Sequence, residues 1–370
     1  MGLNEKFFKS AAAADADPYF NTVLYPGTGS GSKTVTGVGF QPDLVWGKAK
    51  NAIHPHILFD SVRGENKQLS SNNDSAEVTR ASAAYEFEID GFTVTTAGNL
   101  NNAYNYVAWC WKAAGFANAF NVLENGTVTT SSSAATAGIT AGSITTGWNV
   151  SANRDAGFSI VKYTGNETAN QTVGHGLSQT PEIVFIKQLD GTREWTVPTL
   201  IFATGNYLVL NDINALADDN NRWSAISSST ITIGTSPFTN ASPSPFISYF
   251  FHSVAGVQKV GSYDGIDGTD VKVYTDSNGD GTGTGAFEPM FVMIKYYNNP
   301  DGSWAMFDSL RDGGNPTYNV LFANSSAAES TYSNIYGVQF DSDGFTVKGY
   351  VGGNDQINET GGSYIYLAIA

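Results

Sequence analysis

Short apolar runs separated by glycine-rich polar stretches recur along this chain, and two kinds of run appear three times each. The first kind is a proline followed by mostly apolar residues and ended by a lysine; its copies are residues 42–48, 181–187 and 289–295. A proline followed by apolar, β-branched or aromatic positions suits a short buried strand better than a helix face. The second kind is aromatic and begins 64, 65 and 75 residues after each proline; its copies are residues 106–112, 246–252 and 364–370. A repeated unit of this size predicts an array of similar modules.

A second kind of strand is predicted where apolar and polar positions alternate, as in residues 157–163. Phe158 and Ile160 are expected on one face of this strand, and Val161 and Tyr163 on the other. The pattern is close to that of a half-buried antiparallel strand.

Asp-Gly pairs at residues 90–91 and 343–344 lie between a short aromatic strand and a Phe-Thr-Val strand. Such a pair predicts a two-residue hairpin with positive φ at both turn positions. Helix is predicted only at residues 5–14 and 212–218, where glycine and proline are absent. The whole pattern therefore predicts an all-β protein built of antiparallel β-sandwiches.

The recurring runs divide the chain into a short N-terminal anchoring segment and three tandem sandwich modules. The predicted boundaries are residues 1–20 for the segment, 21–112 for module 1, 113–256 for a linker plus module 2, and 257–370 for module 3. A chain of 370 residues with 41% hydrophobic composition can bury two or three separate cores. Almost no spacer separates modules 2 and 3, so these two are expected to pack against each other.

Net charge, the length of the apolar runs and the cysteine count argue against nucleic acid binding, membrane insertion and an internal disulfide. Nineteen basic and thirty-four acidic residues give a net charge of -15, which repels the phosphate backbone of nucleic acids and anionic membrane surfaces. No apolar run approaches the roughly 20 residues of a spanning helix, so membrane insertion is not expected. Cys110 is the single cysteine, which excludes an intramolecular disulfide.

Several of these phrases together resemble a known family. Residues 37–46, 59–64, 90–94 and 106–112 are similar to a family of bacteriophage virion proteins, found in phages of marine bacteria and cyanobacteria and usually labelled tail fibre-like or structural. The resemblance extends from about residue 21 over nearly the whole chain. It implies jelly-roll or lectin-like sandwiches, a location in the virion and other virion proteins as partners. It carries no catalytic signature, and the acidic insertion after Tyr274 departs from the pattern.

Aromatic residues in polar, turn-rich stretches are the candidate ligand contacts. A flat ring can stack on the apolar face of a sugar while neighbouring Asn and Asp side chains bond its hydroxyls. The candidates are Trp148, Trp195, Trp223, Tyr296, Tyr297 and Trp304. Packing in a β-sandwich core explains an aromatic residue at least as well.

Calcium is the candidate cofactor. Asp276, Asn278 and Asp280, followed by a glycine, supply oxygens at alternate positions as in the first half of a calcium loop. The closing glutamate should stand where the chain has Phe287. An irregular loop site remains a hypothesis, and an ordinary acidic hairpin turn is the interpretation that we favour.

Two charged pairs repeat between modules 1 and 3: Asp60 with Arg63, and Asp308 with Arg311. They are either sugar-binding groups or internal ion pairs, and their repetition beside the same phenylalanine favours internal pairs. His54 and His56 have no carboxylate or thiol at ligand spacing, so we expect solvated loop histidines rather than a metal site.

Phe7 and Phe8 in the N-terminal segment are candidates for docking onto another virion protein. The expected function is a non-enzymatic, tail fibre-like adhesin that presents surface- or carbohydrate-binding modules to a host glycan. A capsid decoration or cement protein is the alternative, and a tail-associated glycan hydrolase is weaker still. The sequence leaves open whether three chains associate into a homotrimer.

Overall fold

The structure is a computed structural model that describes residues 19–80, 83–115, 119–121, 138–332, 336–350 and 357–370. The described residues are 42% strand and 2% helical and form several antiparallel sheets. The predicted all-β sandwich fold is therefore confirmed. The N-terminal segment with Phe7 and Phe8, and the helix predicted at residues 5–14, lie outside the described residues.

The strands of the first sandwich are β1 Phe20–Pro26, β2 Ser32–Thr36, β3 Leu44–Ala49, β4 Ile57–Asp60, β5 Lys67–Gln68, β6 Val78–Thr79, β7 Tyr85–Glu88, β8 Gly91–Thr95 and β9 Asn105–Trp111, with a 3-10 turn at Thr96–Gly98. Those of the second are β10 Ala119–Asn121, β11 Asn149–Asn153, β12 Phe158–Thr164, β13 Gln171–Gly174, β14 Ile183–Gln188, β15 Thr196–Pro198, β16 Asn206–Val209, β17 Ala217–Asp218, β18 Ala225–Ile226, β19 Thr230–Ile233 and β20 Pro245–Phe251, with helix α1 at Pro237–Asn240. Those of the third are β21 Gln258–Asp264, β22 Val271–Tyr274, β23 Phe291–Tyr296, β24 Trp304–Asp308, β25 Asn319–Phe322, β26 Ser330–Thr331, β27 Val338–Asp341, β28 Gly344–Val347 and β29 Ser363–Ile369.

All three sandwiches follow one plan of a large sheet and a small sheet. The large sheets share the order β1-β9-β3-β4, β12-β20-β14-β15 and β21-β29-β23-β24, and the small sheets are β2-β8-β7, β13-β19-β18 and β22-β28-β27. The second large sheet is extended by β11 and β10 beyond β12. The two recurring runs of the sequence form the central strands, β3 beside β9 and their counterparts, as the apolar pattern predicts.

Apolar residues pack between the two layers of every sandwich, as where Phe92 of β8 meets Phe59 of β4 at 6.0 Å. A fourth core lies on the opposite faces of the large sheets and is shared by all three modules. In it the Trp111 ring lies 6.5 Å from Phe251 of module 2 and 6.0 Å from Phe291 of module 3. The expectation of separate cores is therefore incomplete, because the modules also bury a common one.

The shared core corrects the interpretation of β12 as half-buried. The predicted alternation is present, since Phe158 and Ile160 belong to the shared core and Val161 and Tyr163 to the core of module 2. All four side chains are buried. Both faces are covered because the small sheet packs on one side and the neighbouring modules on the other.

Both predicted hairpins are confirmed, but the turn is displaced by one residue, and the prediction of positive φ at both turn positions is wrong because the loop residues of neither turn have one. Glu88 pairs with Gly91, so Ile89 and Asp90 form the loop and the glycine begins β8. Glycine is required there by a close approach, since a Cβ atom on Gly91 would lie 2.0 Å from the carbonyl oxygen of Val35. The equivalent hairpin in module 3 joins β27 to β28 in the same way.

The helix predicted at residues 212–218 is wrong, because this stretch is a turn followed by β17. The backbone N–H of Ile213 bonds to the side chain of Asp212 at 2.7 Å. The N–H of Leu216 donates to the carbonyl of Tyr297 in module 3 at 2.7 Å. The N–H of Leu216, which a helix would have used for a hydrogen bond within itself, is therefore used for a bond to a neighbouring module.

Candidate functional site

Four of the six aromatic residues proposed as sugar platforms are buried, which corrects the sequence interpretation for them, whereas Trp148 and Tyr297 are partly exposed. Trp195, Trp223 and Trp304 are at most 1% exposed and Tyr296 is 6% exposed. Tyr297 is half-buried, and its ring lies 4.3 Å from that of Phe202 in module 2. The four buried rings cannot stack on a ligand, because the packing between modules or sheets covers them.

Two of these tryptophans instead join modules. Trp195 donates its indole N–H to the carbonyl of Ser70 in module 1 at 2.9 Å. Trp304 donates in the same way to the carbonyl of Val209 in module 2 at 2.8 Å. The two tryptophans occupy equivalent places at the start of the second strand of the recurring hairpin, and their acceptors are equivalent too.

His56 occupies the equivalent position in module 1 and makes the third side-chain bond between modules. Its Nε2 lies 3.0 Å from the carbonyl of Phe322 in module 3, and its Nδ1 accepts the indole N–H of Trp46 at 2.8 Å. Since indole N–H only donates, Nδ1 must be the acceptor and Nε2 carries the proton. Burial holds the pKa of His56 well below its usual value, so the ring is neutral. The expectation of a solvated histidine is wrong, because the contact with module 3 covers this ring.

A second set of three bonds joins the backbones of the modules. The N–H donors are Glu77, Leu216 and Glu329, and the carbonyl acceptors are, in the same order, Leu189, Tyr297 and Lys50, each at 2.7 Å. Each acceptor lies two residues after the lysine that ends the proline run. We call the three module contacts seams: seam 1–2, seam 2–3 and seam 3–1. The same bonds recur at every seam, so the three modules form a closed ring with approximate three-fold repetition.

Asp60 and Arg63 form a buried pair inside module 1, which confirms the internal interpretation. Arg63 bonds to Asp60, to Glu77 at 3.2 Å and to the carbonyl of Leu58 at 3.1 Å. Tyr249 of module 2 adds its hydroxyl, which donates to Asp60 at 2.8 Å across seam 1–2.

The equivalent pair in module 3 is built in the same way. Arg311 bonds to Asp308, to Glu329 at 2.9 Å and to the carbonyl of Met306 at 2.6 Å. Trp109 of module 1 donates to Asp308 at 3.1 Å across seam 3–1. Buried charges are tolerated in both modules because each is paired and hydrogen-bonded.

The lysine that ends each proline run is buried and bonds to carbonyl oxygens. Lys48 and Lys187 each donate to the carbonyl of the last residue of their own strand, at 2.7 Å, and to one carbonyl of the following loop, at 3.3 and 3.1 Å respectively. Lys295 bonds to Gly302 and, at 2.8 Å across seam 2–3, to Ile213. Burial lowers the pKa to about 8 for Lys48 and Lys187 and to about 7 for Lys295. With no exposed surface, these amines fix loops and seams and cannot meet a substrate.

The acidic loop of module 3 does not fit a calcium ion. Asp276 is buried and accepts backbone N–H bonds from Gly279 at 2.8 Å, from Gly281 at 3.4 Å and from Gly283. Asp280 points elsewhere and binds Thr282, as does the third proposed ligand, Asn278. In the described part of the chain, no three His, Cys, Asp or Glu side chains gather as a metal site. The loop is an acidic turn closed by its own backbone donors.

Cavities among the described residues include one in the shared core and two at the surface. The cavity in the shared core has a volume of only about 10 Å³. A surface cavity of 330 Å³ is lined by Phe40, Asp43 and Lys112, and one of 170 Å³ by Ser253 and Lys259 among others. Asp43 accepts the backbone N–H groups of Ala113 and Gly115 on its Oδ2, at 2.8 and 3.1 Å, while its buried Oδ1 has no hydrogen-bond partner among the described residues. No helix among the described residues is long and apolar enough to cross a membrane.

Fold and seams together define a single-chain ring of three β-sandwich modules. The chain belongs to the family described as "Domain of unknown function (DUF7483)", whose model matches residues 15–139 and 130–370. No curated protein matches the chain. The seam residues were not identified from the sequence, although Trp195 and Trp304 stand four positions before Thr199 and Asp308, as His56 stands before Asp60.

Proposed function

We propose that this chain is a non-enzymatic virion structural protein of the tail fibre-like type, in which a ring of three sandwiches presents surface loops to the host. The observation that carries the proposal is the closed ring, in which three copies of one sandwich are joined by two sets of bonds that recur at every seam. Such a ring is a rigid scaffold on which loops at the strand ends can vary. The resemblance of the sequence to phage virion proteins supports the same role.

The chain ends suggest which loops face the host. The carbonyl of Tyr19 bonds to Lys112 and the N–H of Ala370 bonds to Val257, both at 2.8 Å. Both ends therefore leave at the strand ends where Trp111 packs beside modules 2 and 3. If the N-terminal segment attaches to the virion, the loops at the opposite strand ends are the ones left to meet a host surface.

Burial of the candidate tryptophans supports a second candidate function, that of a capsid decoration protein. A protein that binds no glycan, such as a capsid decoration protein, has no need of exposed aromatic platforms. Gold-labelled antibody to this chain, viewed on intact virions by electron microscopy, separates the two roles. Labelling of the tail supports attachment, labelling spread over the head supports decoration, and unlabelled virions contradict both.

Two exposed isoleucines of module 1 give a matched test of orientation. Ile53 is 82% exposed in the loop between β3 and β4, and Ile89 is 89% exposed at the opposite strand ends. Ile53→Cys and Ile89→Cys can each be biotinylated and covered with streptavidin, because the native Cys110 is buried. We expect the cover at position 53 to abolish binding of the purified chain to host cells, and the cover at position 89 to spare it. The reverse result would contradict the proposed orientation.

A further inference from the structure

Among the described residues, both seam surfaces of every module are covered by a neighbouring module of the same chain. Each module has one surface that supplies the indole or imidazole N–H donor of a seam and another that supplies the carbonyl acceptor. Trp195 meets Ser70 at seam 1–2, Trp304 meets Val209 at seam 2–3, and His56 meets Phe322 at seam 3–1. Three donor surfaces thus occupy three acceptor surfaces, as they would in a closed homotrimer of single modules.

Diverged residues at the seams also set the order of the modules. At seam 1–2 the carboxylate of Asp60 receives Tyr249, and at seam 3–1 Asp308 receives Trp109. At seam 2–3 the equivalent positions hold Thr199 and Leu367, so neither a carboxylate nor its donor is present. Placing module 3 against Asp60 would leave the carboxylate opposite a leucine, without the donor that it has in this order. Polar groups that must be matched therefore specify one cyclic order.

A ring of this kind has the symmetry of a trimer but the copy number of a monomer. We propose that one chain docks, as a monomer, on a three-fold site formed by three identical subunits with a basic surface. It occupies this site as a homotrimer of single modules would. This inference rests on the proposed function. Three equivalent module surfaces can each meet one of the three subunits, and such linked contacts strengthen binding without any tight single contact. The net charge of -15 favours a basic partner surface and steers association with it.

The ring is not fully symmetric, and this has a consequence for docking. Among the residues that the structure describes, module 2 extends its large sheet by β10 and β11 and module 3 carries the acidic loop of residues 275–287, without a counterpart in the other modules. The three rotations of the ring on a three-fold site are therefore unequal in energy, and one is favoured. A single N-terminal segment then leaves each site, where a homotrimer would have three.

The first test is the mass of the purified full-length chain in solution. We expect sedimentation at micromolar concentration to give one chain of 39.3 kDa, because every seam is filled internally. A species of three times that mass would overturn the proposal. This result does not depend on where the chain acts.

The second test is the ratio of this chain to its neighbour in purified virions. Cross-linking identifies the neighbour, and quantitative peptide mass spectrometry counts both proteins. We expect one chain for every three neighbouring subunits, and release of the chain as the NaCl concentration is raised. A ratio of one to one would overturn the docking site while leaving the virion role intact. Absence of the chain from virions would contradict the proposed function and this inference together.

Discussion

Removing one hydroxyl group should measure how strongly seam 1–2 depends on the buried pair of module 1. Tyr249→Phe deletes the hydroxyl that donates to Asp60 at 2.8 Å and leaves the ring in place. The ring remains stacked on Trp195, whose centroid is 6.3 Å away. Burial raises the pKa of Tyr249 well above its usual value, so the hydroxyl is a donor throughout the neutral range.

The expected loss follows from the kind of bond. A buried hydrogen bond to a charged group contributes about 1.5–3 kcal/mol to the free energy of unfolding, and one between neutral groups contributes about 1 kcal/mol. Asp60 keeps Arg63 as its partner, so no orphaned carboxylate adds a further penalty. We therefore expect Tyr249→Phe to lower the free energy of unfolding by about 2 kcal/mol.

Tyr163→Phe is the matched control. This tyrosine is also buried in module 2, but its hydroxyl donates to the neutral carbonyl of Thr239, at 2.7 Å and inside the module. Urea unfolding followed by tryptophan fluorescence, which reports on the indoles of the shared core, gives the free energies for both variants. The control should lose about half as much as Tyr249→Phe. A loss at Tyr249 below about 0.5 kcal/mol, or no larger than that of the control, would refute the charged seam bond.

Three further predictions concern a lysine, a glycine and the acidic loop. Folding lowers the pKa of Lys295 from 10.5 to about 7, so between these pH values the unfolded chain holds the proton and the folded chain releases it. The free energy of unfolding should therefore rise with pH across that window. The rise should be smaller in Lys295→Met when urea midpoints are compared at pH 7, 8 and 9. Gly91→Ala should lower the free energy of unfolding by about 3 kcal/mol or more, because its Cβ atom would meet the Val35 carbonyl. The control Gly313→Ala, at a site with open space and φ of +66°, should lower it by about 1–2 kcal/mol. Equal losses of stability in thermal unfolding would contradict the steric argument. Calcium at millimolar concentration should leave the melting temperature unchanged, while Asp276→Ala should lower it with or without calcium; a rise on adding calcium would show that the loop binds the ion.

Repeated apolar runs predicted buried strands because a strand whose two faces are both covered is apolar along its length. The runs at residues 42–48 and 106–112 became β3 and β9, the central pair of the first large sheet. The Asp-Gly pairs predicted the hairpins from turn chemistry, although each glycine lies at the start of the second strand and not in the two-residue turn. The same local logic failed at residues 212–218, where a partner from another module replaced the helical hydrogen bond.

The proposed ligand contacts failed for a related reason. Polar neighbours suggested that Trp195 and Trp304 lie at the surface, but each stands where a polar loop ends and a buried strand begins. Whether such a residue faces water or another module depends on what packs against the large sheet. His56 was misinterpreted in the same way.

The sequence by itself determined the β-sandwich modules, their number, the hairpins and the internal Asp-Arg pairs, because periodicity and short-range spacing encode contacts made within one module. Only the tertiary structure showed that the three modules close into a ring with a shared core. Contacts such as that of His56 with Phe322 join residues 266 positions apart, and no local pattern records them. Closure depends on which faces of the sheets remain apolar once each sandwich has formed, and that is decided when the modules meet.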